Sequence, residues 1–238
     1  MKERIVTWIK QQVRLAQVKG VVMGLSGGID SSVIAALVKQ AVGAKRLLAL
    51  MLPCHSQKED MADALLVARH LGIKTKVIDL SGLYDMFLKI LPKGNKLALA
   101  NLKSRLRMVV LYYYANTLNY LVCGTGNKSE LMIGYFTKHG DGATDILPIA
   151  DLLKKDVRKL ARALDIPERV ITKPPTAGLW PGQTDEGEMG VTYPELDEIL
   201  ERLETKQKPV TAKEKVDRIK KMIARSEHKR QGPKICYR

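Results

Sequence analysis

Apolar residues along the chain fall into two kinds of run, and their alternation predicts the architecture. Ile5, Trp8, Ile9, Val13 and Ala16 recur at helical spacing, so residues 3–18 read as a helix with one buried face. Gly20 interrupts that period, and residues 21–25 form the short, continuously apolar stretch of a buried strand. A glycine-rich turn follows, and residues 32–42 are apolar enough for a packed helix. Residues 46–52, 75–80 and 120–124 read as three further strands. Ser56-Gln57-Lys58-Glu59 has the form of a capping box and starts a helix that reaches about His70. Strands apolar on both faces, alternating with helices, signal an α/β fold: a parallel sheet with helices on both faces.

The second half is more helical. Residues 96–119 read as one long helix, and its stretch from Met108 to Tyr114 is apolar around most of its circumference. Such a helix is buried on more than one side, and subunit contact is one way to bury it. Residues 154–164, 193–204 and 211–225 read as helices, and residues 172–192, rich in Pro, Gly and Thr, as a long loop. Loops of that length in a domain are usually functional or disordered. No repeat or low-complexity linker divides the sequence, so residues 1–238 are expected to form a single domain.

Composition narrows the setting. Three cysteines, Cys54, Cys123 and Cys236, lack any CxxC spacing, which disfavours a zinc knuckle and suits a reducing, cytoplasmic compartment. No apolar stretch approaches the ~20 residues of a membrane span, and nothing reads as a signal peptide. The net charge of +15 admits two readings, a lysine-rich solvated surface or a polyanionic partner.

The chemistry is concentrated in Ser26-Gly27-Gly28-Ile29-Asp30-Ser31-Ser32, between the first strand and its helix. Glycines let backbone approach phosphate oxygens, and a helix start presents free N–H groups and a positive dipole end. Ser26, Ser31 and Ser32 can add hydroxyl donors. A carboxylate beside phosphates, Asp30, implies a cation between them, and Mg²⁺ accepts one or two carboxylates together with phosphate oxygens. No Lys follows as a Walker A loop requires, and Leu52-Pro53 stands where a dinucleotide fold would carry an acid.

This heptad resembles the pyrophosphate-binding loop of the N-type ATP pyrophosphatases, which cleave ATP between its α- and β-phosphates and adenylate an acceptor oxygen. Four further segments resemble the ammonia-dependent NAD synthetases of that superfamily: Asn101–Met108, Gly124–Glu130, Gly134–Gly142 with Asp145-Ile146, and Ala177–Glu186, the last similar to their mobile loop. His228-Lys229-Arg230 completes the series. Ser104 stands where the family carries Ala, and Gln231-Gly232-Pro233 replaces its Pro-Pro.

The resemblance implies an adenine-nucleotide alpha-hydrolase-like fold. It implies that Gly24, Leu25, Ser26, Gly27, Gly28, Ile29, Asp30 and Ser31 hold ATP, helped by Thr125, Lys154 and Thr176. Asp30 and Glu130 would be Mg²⁺ ligands, and these two with Lys154 the catalytic set. Arg105, Lys138, Asp145, His228 and Lys229 would contact deamido-NAD at a homodimer interface that Arg105 crosses. The implied reaction joins ammonia to the nicotinate carboxylate of deamido-NAD through an acyl-adenylate, with ATP as co-substrate and AMP and pyrophosphate as products. Taken one at a time, Glu130 reads as an exposed helix-start acid and Lys138 and Lys154 as surface lysines; their order along the chain gives them weight.

Cys54-His55 is the one candidate nucleophile pair for a glutaminase, and it reads more simply as loop composition after the second strand. Free ammonia is therefore the expected nitrogen donor. Two other classes share the phosphate loop. A tRNA-modifying enzyme would use the positive charge, but nucleic acid is not an expected partner without a CxxC pair or an appended RNA domain. A non-catalytic nucleotide-binding module would have no use for paired Asp30 and Glu130.

Overall fold

A computed structural model of the chain describes residues 1–180 and 182–236. Four strands, β1 (Gly20–Gly24), β2 (Leu47–Met51), β3 (Thr75–Val77) and β4 (Tyr120–Val122), pair in parallel in the order β3-β2-β1-β4. A bridge from Cys123 to Ile146 continues the pairing just past β4. Around them lie α1 (Lys2–Leu15), α2 (Ile29–Val42), α3 (Lys58–Leu71), α4 (Ser81–Ile90), α5 (Lys96–Leu118) and α6 (Lys128–Ile133). The chain continues through α7 (Lys154–Ala163), α8 (Glu168–Thr172), α9 (Asp185–Met189), α10 (Tyr193–Glu204) and α11 (Lys213–Arg230).

Strand side chains point alternately to the two faces of a sheet, and both faces are covered. Val21, Met23 and Ala49 pack against α1, α2, α3, α7 and α8. Val22, Leu50 and Val122 pack against α4 and α5. A separate apolar cluster joins α6, α9, α10 and α11 around Leu196, Ile199 and Ile219. This is the expected α/β sheet with helices on both faces.

Most element boundaries agree with the periodicity to within a few residues. The departures have local causes. In α1 the buried stripe is Ile5, Ile9 and Val13, while Trp8 is 37% exposed at its edge and Ala16 lies outside the helix in solvent. Ser56 does not cap α3; Gln57 occupies the N-cap without a side-chain bond, and the Ser56 hydroxyl instead accepts from the Cys54 N–H at 3.2 Å. Helix α4 was not expected because Leu83, Met86, Leu88 and Ile90 face outward, leaving Tyr84 as its buried residue. The stretch 172–192, expected to be loop throughout, contains α9, which Thr184 caps by accepting from the Gly187 N–H at 3.3 Å. Helix α11 runs five residues past its expected end at 225, because Arg230 Nη1 and Nη2 donate to backbone carbonyls of Leu131, Met132 and Ile223.

The face that α1 buries can be tested directly. Ile9→Ala should cost about 2–5 kcal/mol of unfolding free energy, as fully buried Ile truncations do. Trp8→Ala should cost no more than about 1 kcal/mol, near the range of surface positions. Chemical denaturation of the two variants should separate them clearly; equal losses would contradict this orientation.

Candidate active site

In an open parallel sheet, ligands bind beyond the carboxyl ends of the strands where the strand order reverses. Here that point lies between β1 and β4, and the residues that follow those two strands meet there. A cavity of about 440 Å³ opens at this place, lined by Gly24–Ser26, Gly28–Ser31, Thr125, Glu130, Lys154 and Thr176.

The turn after β1 is shaped by its own hydroxyls. Ser31 Oγ and Ser32 Oγ donate to the Gly28 carbonyl at 3.0 and 2.8 Å, and Ser26 Oγ lies 3.0 Å from Ser31 Oγ. Ser32 is fully buried and committed to that bond, so it shapes the turn and does not face the cavity. Gly27 has φ +81°, and a Cβ there would sit 2.4 Å from the Asp60 carbonyl of α3. Its conformation and its close approach to α3 both require glycine. Gly27 therefore supports the loop from behind, whereas Gly24 and Gly28 border the open space.

Three charged groups meet at the cavity floor. Lys154 Nζ donates to Asp30 Oδ2 at 2.6 Å and to Glu130 Oε1 at 3.0 Å. The lysine is 2% exposed and each carboxylate 17%. Glu130 is thus not the exposed acid, nor Lys154 the surface lysine, that each reads as in isolation. Burial pushes the Glu130 carboxyl up to about 7, with Asp30 adding to the rise and Lys154 opposing it. Burial pulls the Lys154 ammonium downward, but Asp30 and Glu130 outweigh it and hold it above its ordinary value.

Two residues that the motif reading did not single out fix this triad. Asn127, fully buried, caps α6: its Oδ1 accepts from the Glu130 N–H at 3.0 Å while its Nδ2 donates to Asp30 Oδ1 at 2.9 Å. One amide thereby orients both acids. Tyr193 Oη donates to Glu130 Oε1 at 3.2 Å and Asp185 Oδ2 at 2.9 Å, bringing a third carboxylate behind the pair. Burial raises the Asp185 carboxyl as well. The Asn-x-x-Glu spacing of a capping box was the available signal for Asn127; nothing local marks Tyr193.

Three acids around one ammonium leave excess negative charge, which suits a divalent cation. Among the described residues no three Asp, Glu, His or Cys side chains form a ready-made metal cage. Asp30 and Glu130 are the oxygen donors that would suit Mg²⁺, an ion that takes few protein carboxylates and fills its shell with phosphate and water oxygens.

The remaining expected residues divide. Thr125 and Thr176 border the cavity, and Thr176 Oγ1 donates to the Gln183 carbonyl at 2.8 Å. Lys229 borders it too, donating to Gly134 and Phe136 carbonyls at 2.7 and 2.8 Å. Arg105, Lys138, Asp145 and His228 do not line it. Arg105 Nη2 donates to the Lys138 carbonyl at 3.3 Å, and Lys138 Nζ to the His228 carbonyl at 2.5 Å, so these three form one group apart from the cavity lining. Asp145 accepts from the Val122 N–H at 2.7 Å and Tyr112 Oη at 3.1 Å, which ties β4 to α5. His55 Nε2 pairs with Asp85 at 2.8 Å, not with the buried Cys54, whose thiol burial pushes up; the two make no nucleophile pair.

A family model described as NAD synthase matches residues 1–233. The chain belongs to the NAD synthase family. An NH(3)-dependent NAD(+) synthetase of Archaeoglobus fulgidus is 48% identical, over 98% of this chain and 95% of that protein. Among solved structures, an NMN synthetase from Francisella tularensis is 39% identical with a TM-score of 0.91, covering 99% of this chain and 96% of that one. An NH3-dependent NAD synthetase from Campylobacter jejuni, in complex with nitrate ion, is 32% identical with a TM-score of 0.87, covering 99% and 97%. The NAD synthase fold thus matches the adenine-nucleotide alpha-hydrolase-like sheet expected from the motifs.

The dual role of Asn127 generates a test. Asn127→Ala should lower stability by about 1–2 kcal/mol, the usual cost of a lost N-cap. Asn127→Asp keeps the capping oxygen but sets a carboxylate against Asp30, so it should also destabilise. Thermal denaturation of both would decide; an Asp variant as stable as the parent would contradict the amide orientation.

Proposed function

We propose that this chain converts deamido-NAD to NAD with ammonia, spending ATP and releasing AMP and pyrophosphate. The observation that carries the reading is the Asp30–Lys154–Glu130 triad at the floor of a cavity faced by the phosphate loop. The names of its near-full-length relatives agree with it.

The chemistry follows from the substrate's carboxylate, which is a poor electrophile. Its oxygen attacks the α-phosphorus of ATP, the α–β bond breaks and pyrophosphate departs, leaving a mixed anhydride. Ammonia adds to the acyl carbon, loses its extra proton to solvent or base, and AMP leaves. No protein nucleophile is required. The backbone of residues 24–31 holds phosphates at the start of α2, where N–H groups and the helix dipole favour anions. With Asp30 and Glu130 neutralised by a cation, Lys154 would supply fixed positive charge where the leaving group gains negative charge. Mg²⁺ held by Asp30 and Glu130 would add to that neutralisation. Thr125 offers a hydroxyl to the nucleotide, Thr176 does so on turning its hydroxyl from the Gln183 carbonyl, and residues 177–180 and 182–190 limit the access of water to the anhydride.

Arg105, Lys138, Asp145, His228 and Lys229 serve deamido-NAD at a shared interface of a homodimer. Support comes from the outer faces of α4 and α5, where Leu83, Met86, Leu97, Val109 and Tyr113 are exposed. Arg105 is exposed one turn before Val109 on α5 and so belongs to that same surface. The whole chain acts as one catalytic unit and works in the cytoplasm, in keeping with thiols at Cys54 and Cys123. Among the described residues no helix is long and apolar enough to cross a membrane.

The identity to an NMN synthetase favours a second reading, in which the carboxylate belongs to nicotinate mononucleotide. Pyrophosphate release measured with deamido-NAD, nicotinate mononucleotide and bulk tRNA separates the possibilities. Deamido-NAD should give the highest kcat/KM, ammonium but not glutamine should support amide formation, and Asp30→Asn should abolish turnover in a folded protein. Near-normal turnover in Asp30→Asn would remove the metal assignment. Mixing Arg105→Ala chains with Asp30→Asn chains should restore partial activity; an active monomer in sedimentation would refute the shared site.

A further inference from the structure

The first turns of α3 touch both segments that border the phosphate side of the cavity. On one side Gly27 packs against the Asp60 carbonyl and the Ala64 N–H so closely that no Cβ fits. On the other, Lys173 lies just before Pro174-Pro175-Thr176 and donates to Asp63 Oδ2 at 2.6 Å and Asp60 Oδ1 at 2.8 Å. Asp63 is 2% exposed, deep for a carboxylate. Arg169 Nε at the start of α8 lies 2.8 Å from its other oxygen, a charge contact that is not aligned as a hydrogen bond. The Cβ position of Gly178 is 3.5 Å from Asp60 Oδ2, so the chain beyond Thr176 also passes over this turn.

A buried carboxylate is a costly way to add stability, since its desolvation offsets most of the attraction to its partner. What such a pair does supply is a fixed position. Here the fixed distance is that between the phosphate loop, which Gly27 seats on α3, and the Thr176 segment, which Lys173 anchors to the same turn. Lys173 itself borders the cavity.

We propose that Asp63 and Asp60, by holding Lys173, are positioning residues that set the Thr176 segment at the right distance from the phosphate loop for ATP to be gripped by both. The inference rests on the reading of this cavity as the ATP site. It makes the loss specific to one substrate: breaking the anchor should weaken productive ATP binding and spare the nicotinate substrate and ammonia.

The decisive variant is Asp63→Leu combined with Lys173→Met, which removes the buried pair together and leaves its former partners Arg169 and Asp60 on side chains 64% and 21% exposed. Apolar replacement of a buried ion pair is often neutral or stabilising, so the melting temperature should stay near that of the parent. Its kcat/KM for ATP should fall on the order of 10-fold or more, as misplacing a binding segment does. KM for deamido-NAD and for ammonium should change less than about 2-fold, within ordinary surface-mutation effects. Lys173→Arg, which keeps the charge, should recover most of the ATP parameter. Asp60→Asn, at a side chain 21% exposed, should show a smaller loss with the same substrate selectivity. Parent-like ATP parameters in Asp60→Asn and in the folded double variant would overturn the proposal, as would equal losses on all three substrates. If the parent chain itself released no pyrophosphate with a nicotinate substrate, the functional reading would fail instead.

Discussion

Lys154 sits between Asp30 and Glu130 at a depth where none of the three charges could stand alone. Each belongs to a different helix start: Asp30 to α2, Glu130 to α6, Lys154 to α7. Acids in a first turn are favoured by the helix dipole, whereas a cation there is disfavoured. The ammonium is tolerated because two carboxylates lie within 3.0 Å of it. Removing one member of such a buried set typically costs about 3–5 kcal/mol, mostly through the charge left behind. The triad therefore locks three helices at the carboxyl edge of the sheet, and the cavity takes its floor from that lock.

The C-terminal layer holds the same point from the other side. Lys229 and Arg230 donate to carbonyls at the end of α6, whose first turn carries Glu130. Gly134 closes that helix with φ +69°, and a Cβ there would lie 2.1 Å from Ser226 Cβ of α11. Tyr193, at the start of α10, reaches Glu130 directly. A helix far along the sequence thus fixes where a site acid stands, and the His-Lys-Arg segment has a packing role whatever its role toward substrate.

The parts legible in the sequence are those where local pattern and tertiary burial agree. Strands apolar on both faces announced the parallel sheet, and the Ser-Gly-Gly-x-Asp-Ser turn announced phosphate chemistry, because both are written in contiguous residues. Helix α4 was hidden because its outward residues are as apolar as its inward ones. The Ser56 box failed because a matching spacing does not fix backbone geometry, while Asn127 used the same device unnoticed. The depth of Glu130 and Lys154, the Tyr193 bond and the Asp63–Lys173 pair are contacts across 24 to 124 positions of chain. No single-sequence periodicity encodes such contacts; they exist only once the sheet has brought the helix starts together.

Activation of the substrate carboxylate by transfer of the AMP moiety within this cavity is the central chemical claim. Deamido-NAD carrying heavy oxygen at both oxygens of its nicotinate carboxylate tests that claim most directly. After turnover with ATP and ammonium, mass spectrometry of the products should find one labelled oxygen in AMP for each NAD formed, and none in pyrophosphate. Unlabelled AMP, or label in pyrophosphate, would contradict the mechanism drawn from the Asp30–Lys154–Glu130 site.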